Sequence, residues 1–280
     1  GDLSGLNICI DCANGASAVV AQKLFPRLGA KCTFLGISPD GENINKGVGS
    51  THLDNLEKAV VAGGFDCGIA FDGDADRVLC VDGNGEVVDG DMIMAILALD
   101  MKARGTLKNN TVVGTIMSNL GFIRFCEAND IRFSATKVGD RYVLEEMQLE
   151  GYNFGGEQSG HVIFLDFATT GDGQMTAAQL LSIVHRREAK LSSLATLMTR
   201  YPQVIVNVQV GPEGKLHFYT DSEVKEAIEN AKAKLGTSGR IVVRPSGTEP
   251  LLRVMIEGED LEYINVLANS VADVLRERLA

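Results

Sequence analysis

The sequence predicts an α/β protein made of two α/β domains with mixed, mostly parallel sheets and a small C-terminal α+β domain. Short apolar runs alternate with stretches of helical periodicity from the first residues onward, the pattern of helices layered on largely parallel sheets. A length of 280 residues has room for two domains of about 150 residues, or for three small ones. With 45% hydrophobic and 22% charged residues the chain can fill packed cores, and disordered and collagen-like classes are excluded.

Residues 6–10 predict a strand, Asn14-Gly15 a turn, residues 17–28 a helix and residues 31–35 a second strand, together a β-α-β unit. A helix over 53–62 leads to a buried strand over 65–71 that runs straight into Asp72-Gly73-Asp74-Ala75-Asp76-Arg77. Ligands in such folds collect at the carboxyl ends of strands, which singles out this acidic turn. Asp82-Gly83-Asn84-Gly85 predicts a hairpin between strands at 78–81 and 86–88. Next come a helix over 91–103, a strand over 111–117, a helix over 120–128, a strand over 131–136 and a helix over 141–148. Two strand-like pieces within 152–167 enclose Gly155-Gly156-Glu157-Gln158-Ser159-Gly160-His161, and Asp172-Gly173 opens a helix over 174–187. Tyr201-Pro202 reads as a hinge. Beyond it lie a strand over 203–210, a helix over 222–235, strands over 240–244 and 251–257, and a helix over 261–279. The expected domains are 1–86, 87–200 and 201–280.

Charge and composition narrow the function. Lys and Arg total 26 against 37 Asp and Glu, a net charge of -11, which argues against nucleic acid and anionic membranes as partners. The longest apolar run, 92–99, is far shorter than the roughly 20 residues of a spanning helix, and no secretory-type start is present. Six scattered cysteines read as reduced thiols of a cytoplasmic protein; Cys9 and Cys12 form a C-x-x-C with no second pair to complete a zinc tetrad. Walker, Rossmann, nucleophile-elbow and H-E-x-x-H patterns are absent, which disfavours the chemistries they carry. The chain opens on Gly1-Asp2 and enters a strand almost at once, so it is expected to be the rear portion of a longer protein.

Four stretches carry candidate chemistry. Asp72, Asp74 and Asp76 set three carboxylates at alternate positions of a turn, where their repulsion is costly without a cation; hard oxygen ligands suit Mg²⁺ or Ca²⁺. An EF-hand is excluded, because its sixth and twelfth positions are Arg77 and Gly83; a solvated acidic turn is the alternative. Arg244-Pro245-Ser246-Gly247-Thr248-Glu249-Pro250, with Arg253, combines backbone N–H groups, hydroxyls and guanidinium forks as a phosphate requires, or else is a plain connector. Glu157 and Ser159 suit vicinal sugar hydroxyls, while His161 either moves a proton or is structural. Lys137-Val138-Gly139-Asp140-Arg141 places two cations near a helix N-terminus, a second anion contact.

Together these stretches resemble the α-D-phosphohexomutase family, in order and over essentially the whole chain: Asp-Gly-Asp-Ala-Asp-Arg at 72–77, Val-Gly-Asp-Arg-Tyr-Val at 138–143, Gly-Glu-Gln-Ser-Gly-His at 156–161 and Arg-Pro-Ser-Gly-Thr-Glu-Pro at 244–250. The resemblance implies that Asp72, Asp74 and Asp76 bind Mg²⁺ and that Arg77 lies beside the transferring phosphoryl group. It puts Glu157 and Ser159 on sugar hydroxyls and His161 and Lys137 near proton transfer. Arg244, Ser246, Gly247, Thr248 and Arg253 fall to the phosphate that is not reacting. Gln158 and Asn43-Ile44-Asn45 resemble the glucosamine branch rather than the mannose or glucose branch. That branch implies interconversion of glucosamine 6-phosphate and glucosamine 1-phosphate, on the way to amino-sugar cell-wall precursors, through a phosphoserine enzyme and a bisphosphate.

The family's phosphoserine sits in a Ser-His-Asn-Pro type loop of a first domain, and Ser50-Thr51-His52 does not match it. The resemblance therefore implies that an N-terminal domain of the same protein is missing and that these residues bind phosphosugar without isomerising it. Phosphoryl transfer rests on positioning and charge neutralisation, so a shared crevice between metal loop and basic turn is expected, closing about Tyr201. Alternatives are a phosphomannomutase or phosphoglucomutase, a haloacid-dehalogenase-like phosphatase with Asp72 as nucleophile, and a non-catalytic phosphosugar-binding protein.

Overall fold

The computed structural model describes residues 2–247 and 249–280. The chain divides into two compact units, one running to Ser118 and including Phe122–Thr199, the other Asn119–Gly121 with Arg200–Ala280.

In the first unit, β1 (Asn7–Asp11), β2 (Lys31–Leu35), β3 (Cys67–Phe71), β4 (Val78–Asp82) and β5 (Val87–Val88) form a sheet of order β2-β1-β3-β4-β5. β1 pairs in parallel with β2 and β3, because α1 (Ser17–Arg27) and α2 (Asp54–Gly63) supply the crossovers that parallel neighbours need. β3, β4 and β5 pair antiparallel, as the Asp82 to Gly85 turn dictates: Asp82 Oδ1 accepts from Asn84 N and Glu86 N, and Gly85 takes a φ of 90°. Every residue of β3 is buried, and it delivers the acidic turn from its carboxyl end.

A second sheet of order β7-β6-β8-β9 is built from β6 (Thr111–Thr115), β7 (Arg132–Thr136), β8 (Phe154–Gly156) and β9 (Val162–Phe164), parallel except for β8 with β9. Its helices include α4 (Leu120–Ala128) and α5 (Asp140–Glu150). Between the two sheets in sequence runs α3 (Gly90–Ala103), whose run from Ile93 to Ala98 is at most 2% exposed, the signature of a helix inside a core. Phe25 stacks on Phe71 at 6.2 Å and Phe154 tilts on Phe164 at 4.9 Å within the same continuous core. α6 (Gly173–Arg186) starts where Asp172 accepts from Met175 N, the N-cap that the Asp-Gly pair predicts. α7 (Leu191–Ala195) follows it.

The second unit has its own core around Val208, Val254, Ile256, Val271 and Leu275. Its sheet, order β10-β12-β11, is antiparallel throughout: β10 (Gln203–Gln209), β11 (Gly239–Pro245) and β12 (Leu251–Gly258). α8 (Pro212–His217), α9 (Ser222–Leu235) and α10 (Leu261–Leu279) complete an α+β unit. Fully buried Glu257 pairs with Arg240 and accepts from Gln203 Nε2 and Asn119 Nδ2. The fold class is therefore the predicted one. α7 and α8 have no counterpart in the sequence periodicity because five or six residues are too few to display it. Among the described residues, no helix is long and apolar enough to cross a membrane.

Candidate active site

The β3 to β4 connection folds back on itself through Ala75, at a φ of 64°, and brings ligand oxygens of Asp72, Asp74 and Asp76 within 4.8 Å of one another. Arg77 N donates to Asp72 Oδ1 at 3.1 Å, and the Arg77 Nε lies 3.9 Å from both Asp72 Oδ2 and Asp76 Oδ1. One guanidinium thus lies near two of the three carboxylates. Asp72 is only 8% exposed, and burial, followed by the charges of Asp76 and Asp74, pushes its pKa up to about 6 against the pull of the Arg77 N–H. Three hard oxygen donors with this surplus of negative charge fit a small divalent cation such as Mg²⁺.

The turn is wedged between neighbours. Ala16 N donates to the Gly73 carbonyl, and a Cβ on Gly15 would sit 2.2 Å from that oxygen, so only glycine permits the approach. On the other side, a Cβ on Gly73 would lie 2.7 Å from Asn45 Nδ2 and from Ile44 Cδ1. Buried Asp11 braces the support: its Oδ1 accepts from Ala13 N and its Oδ2 from Gly49 N.

The 155–161 loop is stitched to the same turn. Val78 N donates to Gly160 O, Arg77 and His161 form a β-bridge, and Gly90 N donates to Gln158 O. Glu157 Oε1 accepts from Gly139 N at 3.0 Å, which brings the 137–141 stretch to this loop. Ser159 and Lys137 are exposed, and the Lys137 ammonium lies 5.8 Å from the centre of the Tyr142 ring. For His161 the sequence leaves a proton-moving and a structural role open, and the structure shows what its ring touches. It is 3% exposed, and its Nε2 accepts from Gly171 N, which leaves Nδ1 to donate to Asp76 Oδ2 at 3.0 Å. Both ring nitrogens are engaged, one of them on a carboxylate of the acidic cluster.

In the second unit, β11 and β12 pair Arg244 with Arg253 across the ladder, and the turn between them carries the basic motif. Both Nε atoms are buried and, among the described residues, have no hydrogen-bond partner. Burial, then repulsion from Arg253, pulls the Arg244 pKa down. An oxyanion between the two forks relieves both penalties. Ser246 is buried, with its Oγ accepting from Glu249 N; Gly247 is exposed; Thr248 lies outside the described residues.

Comparison with known proteins decides the lineage. Family models described as phosphoglucomutase/phosphomannomutase match three successive parts: alpha/beta/alpha domain II over residues 2–85, alpha/beta/alpha domain III over 89–201 and the C-terminal domain over 205–274. The chain belongs to the α-D-phosphohexomutase family. Curated phosphohexomutase relatives include phosphoglucosamine mutases of Leifsonia xyli, 54% identical over 99% of this chain and 61% of theirs, and of Thermoanaerobacter, 52% identical over 100% and 62%. The chain thus spans about three fifths of these relatives. Solved phosphohexomutases share the fold. A Burkholderia thailandensis phosphoglucomutase/phosphomannomutase family protein superposes with a TM-score of 0.80 at 21% identity over 98% of this chain and 62% of its own. Aspergillus fumigatus N-acetylphosphoglucosamine mutase, solved with GlcNAc-6P and magnesium, gives 0.80 at 18% over 99% and 62%.

Several residues that shape this phosphohexomutase site escaped the sequence reading. Asp11 bears no motif signal, since it is simply the last residue of β1. The sequence points to Gln158 and Asn45 as markers of a branch; in the structure Gln158 Nε2 donates to Asp89, the N-cap of α3, and Asn45 lies against the acidic turn. The C-x-x-C cysteines are buried free thiols, and burial pushes Cys9 and Cys12 up to about 11, which suits packing rather than metal or redox work.

Proposed function

We propose that this chain carries the metal, sugar and distal-phosphate parts of a phosphoglucosamine mutase, which interconverts glucosamine 6-phosphate and glucosamine 1-phosphate through a phosphoserine and a bisphosphate. The observation that carries this reading is the acidic triad beside Arg77, stitched within one unit to the loop bearing Glu157 and Ser159. Asp72, Asp74 and Asp76 hold Mg²⁺, which when bound neutralises charge on the transferring phosphoryl group. Arg77 adds a second positive charge at that group. His161 holds Asp76 in its ligating orientation, and Lys137, exposed at the strand end, meets the reacting oxygens. Glu157 keeps one carboxylate oxygen on Gly139 and offers the other, with Ser159, to sugar hydroxyls. Arg244, Ser246, Gly247, Thr248 and Arg253 hold the phosphate that stays.

Residues 1–86, 87–200 and 201–280 act as three domains in this reading, in the cytoplasm. No Ser-His-Asn-Pro loop occurs in these 280 residues, so the phosphoserine comes from sequence outside them. Calorimetric titration with glucosamine 6-phosphate in Mg²⁺ tests the proposal. Binding without turnover is expected, and Arg244→Glu weakens sugar-phosphate binding but spares Mg²⁺. Equal affinity in that variant, or robust isomerisation by the 280 residues alone, sinks it.

A further inference from the structure

One cation of the second unit sits under the basic turn without belonging to its motif. Lys215, on α8, donates from its ammonium to the Ser246 carbonyl at 2.8 Å and to the Glu249 carbonyl at 2.5 Å. Those two oxygens bracket the tip of the turn. A short helix could not hold a long side chain there by itself, and α8 is seated by close backbone approach: a Cβ on Gly214 would lie 2.2 Å from the Leu279 carbonyl of α10. Glu249, held by its carbonyl, in turn places its carboxylate on Arg253 Nη2 at 2.6 Å.

We infer that Lys215 is a positioning residue for phosphate: its ammonium draws the turn's carbonyl oxygens away from the anion and fixes the loop and Arg253 in the geometry that receives it. Two effects follow from the same contacts. Carbonyl oxygens facing a phosphate repel it, and turning them onto an ammonium removes that repulsion. The ammonium also adds a third positive charge behind the guanidinium pair, in a chain whose net charge is -11. Lys215 spends its ammonium on two loop carbonyls, so in this inference it acts through other groups. The inference rests on the turn being a phosphate site, and the test separates the two.

Inorganic phosphate and glucosamine 6-phosphate are titrated into the full chain, Lys215→Met, Lys215→Gln, Lys215→Arg and Arg244→Gln, with Mg²⁺ titrated in parallel. Lys215→Met is expected to weaken phosphate about tenfold, the loss of one charge-assisted hydrogen bond at its lower limit. Lys215→Gln, neutral but still a donor, falls between, and Lys215→Arg recovers most of the affinity. Mg²⁺ affinity stays constant throughout. In the ligand-free state a crystal structure of Lys215→Met shows the Ser246 and Glu249 carbonyls turned from their wild-type directions, which a purely electrostatic contribution would not produce. If Arg244→Gln loses phosphate while Lys215→Met keeps it, or if those carbonyls are unmoved, the positioning role is wrong and the phosphate site stands. If neither substitution weakens phosphate, the phosphate site itself is wrong.

Discussion

Asp72 is the residue at which burial and pH meet. Its carboxyl has a pKa near 6 in the folded, metal-free protein, against 3.8 as the ordinary value, because burial and two neighbouring carboxylates disfavour its charge. A raised carboxyl pKa means that the folded state holds the proton more tightly, so this contribution to stability is complete below about pH 4 and is lost as pH rises through about 6. In EDTA, the melting temperature of the wild-type chain is expected to fall across that window relative to Asp72→Asn, and Mg²⁺ is expected to restore it. Parallel pH profiles for the two proteins in EDTA would discard the assignment. His161 illustrates the limit of residue type as a guide. Its chemistry permits proton transfer, and the carboxylate it meets, Asp76, is 85 positions away.

At the scale of elements, glycines set how closely the loops meet. Gly160, at a φ of 94°, brings its backbone against β4, where a Cβ would stand 2.2 Å from the Val78 carbonyl. Gly160→Ala combines a left-handed backbone with a backbone clash, a cost of about 1–3 kcal/mol for the conformation alone. The expected outcome is a lowered melting temperature together with weakened sugar-phosphate binding, because the Glu157 loop loses its seam to the metal turn. Calorimetry and thermal denaturation of that variant check it, and unchanged values in both would show that the seam does not matter. The same seam was half legible in sequence: the glycines of 155–160 announce close approach, but which backbone they approach depends on the pairing of β4 with this loop.

For the whole molecule, each unit has a core of its own, and the acidic site and the basic turn are built separately. Glu257 tests this separation. It is fully buried in β12, where Arg240, Gln203 and Asn119 all bond to it, so Glu257→Gln removes the negative charge of a buried ion pair, at a cost of about 3–5 kcal/mol. The second unit should melt earlier while Mg²⁺ affinity in the first is unchanged; a matching loss of Mg²⁺ affinity would mean that the units fold as one.

The sequence alone determined the alternation of strands and helices, the acidic turn at the end of β3 and the arginine-bearing turn between β11 and β12. Each of these is local, written in residues a few positions apart and in the 2 or 3.6 period of apolar side chains. Tertiary structure alone decided that His161 meets Asp76, that Glu157 ties Gly139, that Asp11 braces Gly49 and that Lys215 grips the basic turn. Those contacts join residues 18 to 85 positions apart, and a hydrogen bond forms where folding leaves a donor and an acceptor within about 3 Å, a coincidence of packing that no local pattern encodes.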